Sequence, residues 1–345
     1  MSPLILLIMM FALGLGTAIT MMSTHWLLAW MGLEINTLAI IPMMIKHHHP
    51  RAVEATTKYF LIQATAAATL LFASTMNAWF TGVWEISQTA HPLPLTMITV
   101  ALSLKLGLAP LHAWLPDIMQ GLDLKIGLIL ATWQKFAPLS LLLQVNNGTL
   151  ATLFGLTSVI LGGWGGLNQT QLRKILAYSS IAHLGWIFLV MQLCPSLSLM
   201  ALLIYVIMTF SLFSTFILNK TTNINSLSIS WMKTPILTAL TPLILLSLGG
   251  LPPLTGFLSK WVILNELAKQ NLNMLATAAA LSALLSLYFY LRLSYSMALT
   301  IAPNMSTGTS FWRLNSNNLS TMATSSITMT LLMLPLLPLL MAFTF

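Results

Sequence analysis

Charge is what this sequence has least of. Six acidic and 14 basic residues stand in 345, so 6% of the chain is charged while 57% is hydrophobic. Soluble proteins carry roughly 25% charged residues. A water-soluble globular fold is excluded, and the bilayer becomes the natural solvent. The net charge of +8 is then no nucleic-acid footprint; it is loop charge of the kind that sets membrane topology. Cysteine is nearly absent too. Cys194 stands alone, which excludes an internal disulfide framework, and its place beside Pro195 at a helix end marks it as structural. Neither a basic leader nor an Arg-rich amphipathic segment follows Met1-Ser2-Pro3. The chain is expected to insert through its own helices, or to be made in the compartment that uses it. No oxygen-rich cage suited to a metal ion is visible, and His47-His48-His49 reads as part of a basic loop. No strand borders Gly162-Gly163-Trp164-Gly165-Gly166, so its G-x-x-x-G spacing means close helix packing and not a nucleotide fingerprint.

What is present is a succession of apolar runs. A hydrocarbon core of ~30 Å takes ~20 helical residues. Eleven runs meet that length: 3–22, 25–45, 59–80, 93–115, 122–144, 149–167, 174–193, 197–218, 235–268, 271–297 and 323–344. The fourth contains Pro110. The ninth is interrupted by Gly249-Gly250-Leu251-Pro252-Pro253, and its halves are too short to cross separately, so it counts once. The longest connector, 298–322, is rich in Ser, Asn and Thr, and no soluble domain intervenes. The expected fold class is an all-α polytopic membrane protein of about 11 transmembrane helices.

Basic residues fall on alternate loops. One side receives Lys46, Arg51, Lys58, Arg173, Lys174, Lys220, Lys233, Arg292 and Arg313, the other only Lys269. The basic side is expected inside, which puts the N-terminus inside and the C-terminus outside.

An internal repeat joins the two interrupted spans. Residues Gly107 to Leu115 and Gly250 to Leu258 both read G-L-x-P-L-x-x-W/F-L, and each follows a Leu-Ser-Leu, at 102–104 and 246–248. The copies lie five spans apart, and an odd separation inverts the second in the membrane. Inverted repeats with Gly- or Pro-broken helices at matching positions are a signature of ion transporters. Broken backbone is tolerated at that depth only where it lines a polar cavity or is covered by protein.

Four ionisable groups sit inside apolar runs: Glu34, Lys105, Lys135 and Lys260. Each costs ~2.5–3.5 kcal/mol on insertion scales. At helical rise Glu34 lies roughly 14 Å into its span, Lys105 roughly 18 Å and Lys135 roughly 20 Å, all near mid-depth. Lys260 follows the break in its span and is expected at similar depth. Desolvation penalises the charged form of amine and carboxyl alike, so such groups switch protonation readily. An adjacent Glu34–Lys105 pair would hold both charged, and separating them would release or capture a proton. His112, just past the first break, and His183 are second-rank relay candidates. Asn147-Gly148-Thr149 matches a glycosylation acceptor that the compartment leaves unused.

Three segments then resemble a known family. Gly162 to Ile181, Leu104 to His112 and Leu246 to Phe257 are similar to the chain 2 family of mitochondrial NADH–ubiquinone oxidoreductase, respiratory complex I, in its vertebrate form. The resemblance covers essentially the whole chain. It implies an antiporter-like fold of two inverted five-helix repeats, over 1–145 and 146–298, followed by a surface connector and a C-terminal helix over 299–345. It implies proton translocation through Glu34, Lys105, Lys135 and Lys260, driven by quinone reduction elsewhere in the complex. It also implies no cofactor on this chain: NADH, FMN, iron–sulfur clusters and ubiquinone belong to other subunits, and one cysteine cannot hold a cluster that takes four. Partners are other membrane-arm subunits, including antiporter-like ones, and lipids, in the inner mitochondrial membrane with the N-terminus in the matrix. Two further readings stay open: a stand-alone cation/proton antiporter, and a structural spacer with inert buried lysines.

Overall fold

The computed structural model describes residues 3–45, 49–89, 91–145, 147–232, 234–299 and 321–336. Lys46, His47, His48, Lys233, Arg313, most of the connector 298–322 and the final stretch 337–344 of the last expected span lie outside them. Among the described residues every regular element is helical. They divide into two compact units, Met1–Gly155 and Leu156–Phe345.

The first unit holds α1 (Pro3–Met22), α2 (Trp26–Met44), α3 (Pro50–Thr81), α4 (Pro92–Leu106), α5 (Trp114–Gly121), α6 (Leu124–Thr132) and α7 (Phe136–Gln144). Helix α8 (Gly148–Gly165) contains the boundary. The second unit holds α9 (Leu172–Met191), α10 (Pro195–Asn219), α11 (Ile224–Ser228), α12 (Pro235–Gly249), α13 (Thr255–Lys269), α14 (Asn273–Ala298) and α15 (Thr321–Leu332). Proline opens α3, α4, α10 and α12, where its fixed φ suits the first turn and its missing N–H is not needed.

Among the described residues eight helical segments are long and apolar enough to cross a membrane, while α4 and α12 are shorter apolar helices. Those two have 15 residues each, about 22 Å at 1.5 Å per residue. They fall short of a ~30 Å core and need α5 and α13 to complete the crossing, as expected of broken spans. Three boundaries differ from the sequence expectation. The crossing that begins with α4 ends with α5 at Gly121 and not at 115. Helix α3 starts at Pro50 and not at 59, because Pro50 nucleates it and His49 Nδ1 accepts a 3.3 Å bond from the Arg51 N–H. The fifth span is itself interrupted: a 3₁₀ turn at Trp133–Lys135 separates α6 from α7. Pro138 lacks the N–H that would bond the Gln134 carbonyl, and its ring crowds that carbonyl.

Glycine brings backbones together in each unit. In the first, a Cβ on Gly16 would stand 2.8 Å from the Gly32 carbonyl oxygen, and one on Gly32 would stand 2.9 Å from that of Gly16. Helices α1 and α2 therefore touch backbone to backbone, as small residues allow in lipid. In the second, the expected G-x-x-x-G packing is present: Gly162 lies on Ala182 of α9 and Gly166 on Phe289 of α14.

Each unit also carries the same two-loop clasp. In the first, the Trp26 N–H bonds the Trp84 carbonyl at 3.1 Å and the Ile86 N–H bonds that of Thr24 at 3.0 Å, around a His25–Glu85 bridge. In the second, the Leu172 N–H bonds the Thr222 carbonyl at 3.1 Å and the Ile224 N–H bonds that of Thr170 at 3.3 Å, around a Gln171–Asn223 bridge. The loop before the second helix thus pairs with the loop after the third in both, which repeats the architecture without repeating the sequence. In the second clasp, Arg292 of α14 also donates to the carbonyls of Leu167 and Gln169.

Candidate functional site

The two breaks close by the same hydrogen bonds. Gly107 and Gly250 take left-handed φ of 76° and 86°, a region that glycine enters without penalty. The Leu108 N–H reaches back to the Ser103 carbonyl at 3.0 Å, and the Leu251 N–H to that of Leu246 at 3.3 Å, the Schellman closure of a helix end. With the glycines superposed in register, Ser103 matches Leu246 and Leu104 matches Ser247. The two Leu-Ser-Leu runs are therefore one residue out of step, although the break itself is equivalent.

In the first unit the break delivers Lys105. Its carbonyl neighbour Leu104 accepts a 3.1 Å bond from Trp114 Nε1, which ties the start of α5 to the end of α4. Lys105 Nζ then lies 3.9 Å from Glu34 Oε1 on α2, at the outer limit of an ion pair, and among the described residues neither atom has a hydrogen-bond partner. Thr37 Oγ1 donates to the other carboxylate oxygen at 3.2 Å. Two unit charges at this distance interact by about 4 kcal/mol at an effective dielectric of 20, less as water reaches the one-quarter-exposed Glu34 side chain.

Lys135 arrives beside Lys105 from the 3₁₀ turn and is 2% exposed. Gln134, in the same turn, donates from Nε2 to the Asn36 carbonyl at 3.3 Å and so fixes the turn against α2. A cavity of ≈ 20 Å³ is lined by both Lys105 and Lys135, with Thr37, Tyr59, Gln63 and Gln134 among its other lining residues. A buried water needs about 10–15 Å³ and two to four polar partners, so the cavity suits one. Three of the four sequence candidates, Glu34, Lys105 and Lys135, therefore converge, with Gln63, Gln134 and Thr37 as polar supports that the sequence did not mark. A Gln or Thr in an apolar run carries no charge penalty and so no signal. His112 is not among the lining residues; its Nδ1 faces the Pro110 carbonyl at 3.3 Å.

In the second unit Lys260 reaches back across the break and donates from Nζ to the Gly249 carbonyl at 2.8 Å. That carbonyl belongs to the last turn of α12, where the helix dipole favours a cation. Gly250 packs directly under the side chain, since a Cβ there would lie 3.0 Å from both Cδ and Nζ of Lys260. Gly256 lies against the Ser247 carbonyl, which seats the start of α13 on α12. Lys260 is 8% exposed and His183 7%, with the His183 ring centroid 5.6 Å from that of Tyr205.

The remaining candidates resolve as packing or surface features. Asn147 is 8% exposed and donates to Thr99 Oγ1 at 3.4 Å, so it is a buried hydrogen-bond donor. Glu266 pairs with Lys269 at 3.3 Å and accepts from Cys194 Sγ at 3.5 Å. Among the described residues no group of three His, Cys, Asp or Glu side chains is placed to hold a metal ion.

Comparison with known proteins gives a consistent result. A family model described as NADH:quinone oxidoreductase/Mrp antiporter, TM matches residues 23–286, and one described as NADH dehydrogenase subunit 2 C-terminus matches 287–341. The chain is 66% identical to NADH-ubiquinone oxidoreductase chain 2 of Tetraodon nigroviridis and 61% identical to that of Gadus morhua, in each case over 98% of both chains. Among solved structures it is similar to a chain of respiratory complex I from Thermus thermophilus, with a TM-score of 0.83 and 27% identity over 98% of this chain and 80% of that one. It shares its fold with a chain of the Mrp complex from Dietzia sp. DQ12-45-1b, with a TM-score of 0.74 and 16% identity over 84% of this chain and 59% of that one.

Proposed function

The chain belongs to the NADH–ubiquinone oxidoreductase chain 2 family, and we propose that it translocates protons as a core membrane-arm subunit of respiratory complex I. The observation that carries this function is that Lys105 and Lys135 line one small cavity in the first unit while Lys105 also pairs with Glu34. Quinone reduction elsewhere in the complex perturbs the Glu34–Lys105 pair. When the pair loosens, the Lys105 ammonium hands a proton through the cavity to Lys135. Two ammonium groups lining one cavity repel, so a single proton at a time is favoured. Lys260 continues the transfer in the second unit, with His183 and His112 as relays.

In this function 1–145 and 146–298 act as inverted repeats, and 299–345 supplies a connector and a last helix. The chain spans the inner mitochondrial membrane with its N-terminus in the matrix, as the bias of Lys and Arg favours. Its partners are the other membrane-arm subunits, antiporter-like ones included, and lipids. NADH, FMN, iron–sulfur clusters and ubiquinone react on other subunits. The match of residues 287–341 to a chain 2 C-terminal family favours a complex subunit over a stand-alone antiporter.

Lys135→Ala in the assembled complex tests the function. The number of protons moved per electron is expected to fall. An unchanged ratio would mark the chain as a spacer.

A further inference from the structure

Helix α9 is deeply enclosed, with every residue from Ser179 to Met191 buried. It carries Ser179, Ser180 and His183, and it faces two tyrosines, Tyr205 on α10 and Tyr290 on α14. Each tyrosine is 1% exposed. The Tyr205 hydroxyl hydrogen-bonds to Ser180, and Tyr290 lies within electrostatic reach of Tyr205. The Tyr290 hydroxyl likewise faces Ser179 as a hydrogen-bond partner. At one end of this group the His183 ring stands 5.6 Å from that of Tyr205. At the other, the Tyr290 ring covers Gly249, with Cδ2 3.6 Å from where a Cβ would be. Gly249 is the residue to which Lys260 Nζ is bonded, at 2.8 Å.

Packing does not explain the hydroxyl on Tyr290. Phenylalanine would fill the same space without a polar group to desolvate. The group is instead placed where a proton carrier is needed. A hydroxyl accepts one proton and donates another, so it passes charge without storing it. Ser179 and Ser180 each spend their single proton on a backbone carbonyl, those of Leu176 and Ala177, both at 2.7 Å. Their oxygens therefore face the tyrosines as acceptors and orient the phenols.

We propose that the hydroxyls of Tyr290 and Tyr205 relay protons between Lys260 and His183. In one passage the Lys260 ammonium gives up a proton, Tyr290 and then Tyr205 each accept one on oxygen and release their own, and the His183 imidazole gains one. No net charge remains on either tyrosine, and rotation of the two O–H bonds resets the path. The relay rests on Lys260 taking part in translocation, as proposed above.

Complex I carrying Tyr290→Phe or Tyr205→Phe, reconstituted in vesicles, is compared with Lys260→Ala. Both Phe variants are expected to lose protons moved per NADH oxidised, toward the value of Lys260→Ala. Wild-type stoichiometry in both Phe variants, with the loss in Lys260→Ala intact, overturns the relay alone. Wild-type stoichiometry in all three variants overturns the role of Lys260 as well. If a Phe variant fails to assemble, Ser180→Ala decides, since it frees the Tyr205 hydroxyl and leaves both rings in place. A loss of stoichiometry there supports the relay, and wild-type stoichiometry overturns it.

Discussion

Lys260 Nζ and the Gly249 carbonyl oxygen meet at 2.8 Å across the break between α12 and α13. Lys105, by contrast, sits within the last turn of α4, ahead of its own break. Relative to the shared glycines, Lys105 precedes Gly107 and Lys260 follows Gly250. The two amines stand on opposite half-helices of equivalent breaks: Lys260 bonds the carbonyl end of α12, while Lys105 faces Glu34 of α2.

Gly250 is expected to be intolerant where Gly249 is not. Alanine at 250 would have to adopt φ of 86°, which costs about 1 kcal/mol or more, and would press on the Lys260 amine. Alanine at 249 meets only ordinary contacts, the nearest at 3.6 Å. Thermal unfolding of the assembled complex should show a lower midpoint for Gly250→Ala and none for Gly249→Ala.

Glu34→Gln should destabilise more than Lys105→Met. The first leaves a buried ammonium without its counter-charge, which for a fully buried pair costs about 3–5 kcal/mol and less here because Glu34 is one-quarter exposed. The second leaves a carboxylate that still touches water. The double variant Glu34→Gln/Lys105→Met should regain stability over Glu34→Gln alone while proton transfer stays lost. A double-mutant cycle on thermal midpoint and pumping measures both, and additive losses would refute the coupling.

Lys220→Gly should stabilise. Lys220 closes α10 with φ of 51°, the position that Gly82 fills after α3 at 73°. Left-handed backbone costs a side-chain-bearing residue about 1–2 kcal/mol. The variant should raise the thermal midpoint and leave the proton-to-electron ratio unchanged.

Much of this was legible from the residues. A charged side chain in an apolar run is conspicuous, so Glu34, Lys105, Lys135 and Lys260 stood out, and the two glycine-proline breaks marked themselves. The turn at Lys135 was signalled by Pro138, but a continuous apolar run masked it. The start of α3 was hidden for the opposite reason: Arg51, Glu54 and Lys58 lower the hydropathy of a stretch that Pro50 starts as helix. Tyr205 and Tyr290 gave no signal at all, since a tyrosine in a membrane helix is indistinguishable from a packed aromatic until its hydroxyl is placed. The paired clasps were equally invisible, because backbone pairing between distant loops leaves no side-chain pattern.

The most direct measurement is nitrogen-15 spectroscopy of lysine-labelled complex I, at rest and during NADH-driven turnover, with Lys105→Arg and Lys135→Ala used for assignment. The Nζ signals of Lys105 and Lys135 are expected to move between ammonium and neutral amine as the enzyme turns over. Signals that stay ammonium throughout turnover would contradict proton transfer through these residues.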